Sequence, residues 1–293
     1  MTVLIAGGTG VFGRHLVTAL RNAGHSTLSL GRGSGNDIVA DLMDRSALLK
    51  AVDGRHADVV IHAATALRKP PLRERDMAAT NALRLAGTEN LLEAARIVGA
   101  TKIIGESMVF RYGFGDHGNR ALTEDEPAGK GSVPEALQAK EEMISAAGGC
   151  SLRFGLFYGS GGTEEIAAML RKRMLPVLKS GNLLPWVDLS DAAAAAVAAI
   201  SHGRPGEAYN IADRTPMSFA AHVEAVATAF RTPQPFKVPM WLLRPMSYLH
   251  TVLGTNLQVD ISKAERELGW KPAYPSAVTA IAELADLARR TPR

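Results

Sequence analysis

Hydrophobic and polar positions along the chain switch repeatedly between two periods. It opens with a continuous apolar run, Val3-Leu4-Ile5-Ala6, which reads as a strand buried on both faces. Phe12, Leu16 and Leu20 then recur at helical spacing. Further apolar runs predict strands over residues 26–30, 37–40, 58–63, 102–105, 151–154 and 208–211. Leu83, Gly87, Leu91, Ala94 and Val98 share one side of a long helix expected over 77–98, small enough together to pack closely on a sheet. An alanine-rich helix, with Asp191 as its cap, is expected to run to about residue 202. Strands alternating with helices in this way predict an α/β fold on a doubly wound parallel sheet.

The rest of the chain breaks that rhythm. Residues from about 155 to 186 and from 213 to 293 are richer in proline, tryptophan and methionine and show no repeating strand–helix pattern. Ser262 with Glu265 makes a capping-box start for a short helix ending near Gly269. The expected division is a sheet domain of residues 1–154 plus about 187–212, and a smaller, largely C-terminal substrate lobe of about 155–186 plus 213–293.

Candidate chemistry begins at the end of the first strand. Gly7-Gly8-Thr9-Gly10-Val11-Phe12-Gly13 turns directly into the first helix. Glycine is needed where a backbone bends tightly and where a pyrophosphate comes too close for a Cβ. The helix N-terminus adds free amide donors and a positive dipole end. A glycine triplet alone is a weak signal, but between a strand and a helix it predicts a dinucleotide-binding Rossmann sheet.

Composition narrows the setting. Within 293 residues, 33 Lys and Arg face 29 Asp and Glu, a nearly balanced surface with net charge +4. That suits an anionic cofactor, and no basic stripe interleaved with aromatics points to nucleic acid. The one cysteine, Cys150, excludes an internal disulfide, and the eight histidines are scattered, so no metal is expected. The apolar run 192–200 is too short to span a bilayer. A cytoplasmic enzyme acting on a small molecule is expected, with a homodimer left open.

The second strand chooses the cofactor. An acid at its tip accepts hydrogen bonds from a free 2′-hydroxyl, whereas an arginine accommodates a 2′-phosphate. Here the tip reads Leu30-Gly31-Arg32, which favours NADP(H) over NAD(H). Asp41 and Leu42 are placed to meet the adenine, and Ala63, Ala64 and Thr65 to line the ribose and pyrophosphate.

With these residues the chain resembles an extended member of the short-chain dehydrogenase/reductase superfamily, the NAD-dependent epimerase/dehydratase branch. The glycine turn, Asp58-Val59-Val60-Ile61-His62-Ala63-Ala64, the helix from Asn81 to Ala95, Leu152-Arg153-Phe154-Gly155-Leu156-Phe157-Tyr158-Gly159, Val187-Asp188-Leu189-Ser190-Asp191 and Leu268-Gly269-Trp270 carry the resemblance over nearly the whole length. It implies cofactor contacts at Asn81 and at Phe154, Gly155 and Leu156, whose backbone would meet the nicotinamide carboxamide.

The pattern breaks at the catalytic centre. The resemblance implies a serine or threonine after the fifth strand and a Tyr-x-x-x-Lys on the next helix. Here Ser107 lies at or one residue before the hydroxyl position, with Met108 beside it. Four residues before Lys140 stands Ala136, and aligning on Arg153 puts the lysine slot near Leu137 or Gln138, so the tyrosine is absent either way. Ser107, Tyr112, Tyr158, a water or a substrate hydroxyl are the candidates to handle a proton, and Glu106 reads equally as a base or a loop acid. Trp186, in the approach Asn182-Leu183-Leu184-Pro185-Trp186, and Trp241 offer an aromatic surface in place of a diphosphate-binding arginine. The reading is an NADPH-dependent ketoreductase of a bulky aromatic or polyketide-type carbonyl. A nucleotide-sugar epimerase or dehydratase and a non-catalytic NADP-binding sensor or scaffold are the alternatives.

Overall fold

The computed structural model describes residues 1–179, 181–274 and 276–290. In chain order β1 (Thr2–Ala6), β2 (Ser26–Gly31), β3 (Ile38–Val39), β4 (Val59–His62) and β5 (Lys102–Met108) lead into β6 (Asp116–Leu122), which leaves the main sheet. After β7 (Cys150–Phe154) come β8 (Leu156–Tyr158), β9 (Val177–Leu178), β10 (Trp186–Asp188), β11 (Ala208–Ile211), β12 (Lys237–Val238) and β13 (Asn256–Val259). The main sheet has seven parallel strands in the order β11-β7-β5-β4-β1-β2-β3. The order reverses at β1, and such a switch point opens a crevice beyond the strands' carboxyl ends.

Alternation along each strand divides the core. Val3, Ile5, Val59 and Ile61 face one layer, while Leu4, Ala6 and Val60 face the other. On the first side the helix Val11–Asn22 packs against the helix Leu189–His202, whose buried alanines let the two approach closely. Apolar runs rather than alternation therefore mark the central strands, because both faces are covered.

β8 pairs with β10, β9 with β12 and β13 with β6, all parallel. Two further apolar clusters lie here, one around Leu178, Leu184, Leu243 and Leu257, the other around Tyr158, Trp186, Val223 and Ile281.

Three local expectations need correction. Asp188, not Asp191, caps the alanine-rich helix, its side chain accepting from Ser190 N at 2.7 Å. Asp191 instead accepts from the backbone N–H groups of Ala273 and Tyr274, tying the chain's later part to the helix. The helix Ser262–Glu267 starts without a capping box, because Asp260 reaches Ser262 N at 2.7 Å first. The expected helix over 77–98 is interrupted: a 3-10 turn (Glu74–Met77), a short helix (Ala78–Ala82), a π-helical turn (Leu83–Gly87) and the helix Thr88–Ile97 follow one another. A single helical period could not show that local widening.

Candidate functional site

The glycine turn is held by backbone bonds. Gly7 N donates to Leu30 O at 2.8 Å and Gly10 N to Gly7 O at 3.0 Å. Gly7 has φ 93°, and a Cβ there would lie 2.7 Å from the Ala63 carbonyl oxygen. A Cβ on Gly13 would run into the Gly7 carbonyl, so Gly13 serves the close approach of helix to strand. Gly10 differs: its φ is −67°, and a Cβ would meet only Gly7 O, at 3.2 Å. No side chain caps this helix, so its first amide donors are left to a ligand.

A cavity of about 710 Å³ runs across the carboxyl ends of the strands. Arg32, Asp41, Leu42 and Leu83 line it together with Gly7, Gly10 to Gly13, Ala63, Ala64, Thr65, Leu67, Glu106 and Phe157, and Leu83 shares a cluster with Leu42. The Arg32 side chain is 54% exposed, with Nη1 3.9 Å from Asp41 Oδ2, a contact too long to hold the guanidinium firmly. Phe157 stacks on Phe12 with centroids 5.0 Å apart. A glycine cradle, open amide donors and an arginine at the second strand's tip fit a dinucleotide whose adenosine lies over β2 and whose nicotinamide lies toward β5.

Other expected contacts lie elsewhere. The Asn81 side chain donates to Ser132 O at 3.1 Å and accepts from Arg84 at 2.9 Å, away from the cavity wall. Phe154 is buried edge-on against Phe12, Gly155 N donates to Ile211 O and Leu156 N to Pro185 O. From that motif Phe157 lines the cavity, a position the sequence reading passed over for its neighbours. Trp186 is corrected from substrate wall to core: it stacks on His222 at 3.9 Å and donates to Met217 O at 2.8 Å. Trp241 is 63% exposed and also lies off the cavity wall.

The three candidate hydroxyls are corrected as a group, since buried partners hold each one. Ser107 Oγ donates to Glu141 Oε1 at 2.5 Å. Glu141 takes a forked pair from Arg153, with Nη2 to Oε2 at 2.8 Å, and Arg111 Nε lies 3.3 Å away. Tyr112 OH donates to Asn210 at 2.7 Å and accepts from Arg153 Nη1 at 3.0 Å, and burial raises its pKa. Tyr158 OH donates to Asp213 at 2.8 Å, and burial together with that carboxylate raises its pKa further. Burial also pushes Asp213 up to about 7, helped by the charges of Asp191 and Asp188.

Lys140 is buried in an ion pair rather than free in solvent. It is 1% exposed, its Nζ 3.2 Å from Glu106 Oε2, and burial lowers its pKa against the pull of that carboxylate. Arg84 and His62 lie in the same buried cluster, and burial, together with the charges of Lys140 and Arg84, holds His62 well below its usual value. Glu106 is the member that reaches the cavity.

The sequence pattern of the NAD dependent epimerase/dehydratase family matches residues 3–212. The chain belongs to that family. A 3-diazoavenalumate denitrifying reductase from a Streptomyces species is 33% identical over 303 residues, spanning 94% of this chain and 97% of the relative. A dTDP-4-dehydrorhamnose reductase from Streptomyces griseus is 27% identical, over 77% of this chain and 67% of the relative. Among solved structures, UDP-glucose 4-epimerase from Thermotoga maritima superposes with TM-score 0.82 at 18% identity, covering 99% of both chains. A human epimerase family protein with NADPH reaches 0.83 at 19% identity, covering 98% of this chain and 99% of its own. The structural likenesses support the fold. Family and reductase relative together make this an NAD(P)-dependent enzyme of reductase or epimerase type. No group of residues that could hold a metal, and no helix long and apolar enough to cross a membrane, occurs among the described residues.

Proposed function

We propose that this chain is an NADPH-dependent reductase that passes hydride to a bulky aromatic substrate without drawing a proton from a protein tyrosine. One observation carries the reading: the cavity keeps a full cofactor cradle, yet no tyrosine or serine among the described residues lines it. Arg32 supports NADPH, because a guanidinium pairs with a 2′-phosphate through two parallel bonds. Leu67 and Phe157 offer an arene apolar walls.

The reduced nicotinamide supplies a hydride when bound. A ketone that takes hydride becomes an alkoxide and needs a proton, and a positioned acid is worth about 10²–10⁴-fold there. An aromatic diazonium carbon has no such need: hydride forms the new C–H bond, the C–N bond breaks and dinitrogen leaves. The Streptomyces relative's name gives a diazo substrate and a denitrifying reduction. That name, with the missing tyrosine, supports an arenediazonium over the ketone expected from the sequence.

The test supplies NADPH with a panel of arenediazonium salts and bulky aromatic or polyketide ketones, beside a protein-free control. Arene and dinitrogen formed in step with loss of the reduced-nicotinamide absorbance support the reading. Alcohols formed from ketones alone would put the carbonyl back in place of the diazo group. Tight NADPH binding with no turnover anywhere in the panel would favour a sensor or scaffold.

A further inference from the structure

We propose that Glu106 selects the substrate: its carboxylate faces the reacting group and favours an electrophile positively charged there, an arenediazonium ion, over a carbonyl. This rests on the reductase reading above. Glu106 lies near the carboxyl end of β5, three strands along the sheet from β2 and its Arg32, toward where the nicotinamide half belongs. Its side chain is 16% exposed, whereas Lys140, its ion-pair partner at 3.2 Å, is 1% exposed. The ammonium therefore sits behind the carboxylate, and the pair turns its negative end to the cavity.

Arg32, Asp41 and Arg68 are the other charged residues that line the cavity, Arg68 on the loop after β4. Arg84 is buried and turned to Asn81 Oδ1 at 2.9 Å, and neither Arg84 nor Lys140 lines the cavity. His62 is buried without a hydrogen-bond partner for either ring nitrogen, and its lowered pKa leaves it neutral. Glu141 is taken up by Arg153 and Arg111. Burying a lysine and a carboxylate together is a weak source of stability, so the pair is better explained by what it presents.

Charge at a cavity wall discriminates between electrophiles. A diazonium carbon brings positive charge toward Glu106. A ketone oxygen gains negative charge as hydride arrives, which the carboxylate opposes. In the implied step a hydride pair from reduced nicotinamide becomes the C–H bond and the C–N pair departs with dinitrogen. Glu106 neither gives nor takes a proton.

The test is binding of phenyltrimethylammonium, an inert arene cation, to the NADP⁺-loaded protein by calorimetry, with tert-butylbenzene as the uncharged shape control. The parent should prefer the cation by about tenfold or more, the scale of one ionic contact. Glu106→Gln should abolish the preference and raise KM for an arenediazonium about tenfold. Glu106→Gln with Lys140→Met removes the orphaned ammonium and should show the same loss, and a melting temperature near the parent's shows that each variant folds. A parent without the cation preference, or a preference surviving in both variants, overturns the proposal. Absence of diazonium turnover in the parent sinks the diazonium substrate of the reading above instead, since the inert-cation measurement needs no chemistry.

Discussion

Glu106 and Ser107 are neighbours on β5, and the strand's alternation sends them to opposite sides of the sheet. Glu106 reaches the cavity, while Ser107 turns inward to Glu141. The contrast extends across the molecule. Gly10, Arg32 and Glu106 line one cavity, whereas Ser107, Tyr112 and Tyr158 have their hydroxyls committed to buried charged or amide groups. A hydroxyl in the right stretch of sequence is thus no guide to chemistry until its partner is known. The wall is built for binding and the network for holding the fold, and substitutions on each side should separate the two.

The largest effect is expected on the wall. Gly10→Val puts a branched side chain where the phosphates would lie, and its backbone angles suit any residue. Its Cβ meets only the Gly7 carbonyl, which must give by a few tenths of an ångström. NADPH binding by calorimetry should vanish while the melting temperature stays near the parent's. Gly13→Ala is the contrasting control: it strikes the Gly7 carbonyl and should lower stability first. Retained NADPH affinity in Gly10→Val would remove the phosphates from this turn.

On the network side, Asp213 should dominate. Its folded pKa, about 7, lies above the ordinary 3.8, chiefly through burial. The native state then holds a proton that the unfolded chain has released, so the stability it contributes is full below about pH 4 and lost as pH rises through about 7. His222, stacked on Trp186 and lowered to about 3 by burial, works oppositely, adding stability as pH rises toward 6.5. The parent is therefore flatter with pH than either group alone. Denaturant titrations of the parent and Asp213→Asn should give a stability difference that falls by roughly 3–4 kcal/mol between pH 4 and 8. A difference independent of pH would show that Asp213 is ionised throughout.

Arg32→Ala returns to the wall with a smaller effect. A charge-assisted contact to the 2′-phosphate is worth roughly 1.5–3 kcal/mol, or one to two decades in affinity. NADPH binding should weaken by that amount while NADH binding barely changes. Equal affinities for the two cofactors in the parent would withdraw the NADPH assignment.

Much of this wall was legible, because backbone requirements leave a local trace. A strand, a glycine turn and a helix in sequence are enough to place Gly7, Gly10 and Arg32. Partnerships across the fold leave none. Lys140 meets Glu106 from 34 residues away, and Tyr158 meets Asp213 from 55 residues away. Trp186 reads as pocket aromatic or core aromatic with equal ease until His222 is seen stacked against it.

The smallest effects test the comparison most directly. Ser107→Ala, Tyr112→Phe and Tyr158→Phe each remove one hydroxyl from a buried network. If those hydroxyls only support the fold, each variant should lose about 1–2 kcal/mol of stability, since a partner is left unsatisfied. Turnover at saturating substrate should stay within about threefold of the parent, well short of the 10²–10⁴-fold expected on losing a positioned proton donor. Ser107→Ala is expected to cost the most of the three, because its 2.5 Å bond goes to a carboxylate already shared by two arginines. Turnover is read on whichever substrate class the panel identifies, with stability by denaturant titration on the same samples. A hundredfold fall in kcat for any one variant, with stability and NADPH affinity intact, would move that hydroxyl from the network to the wall and restore a protein proton donor to the reaction.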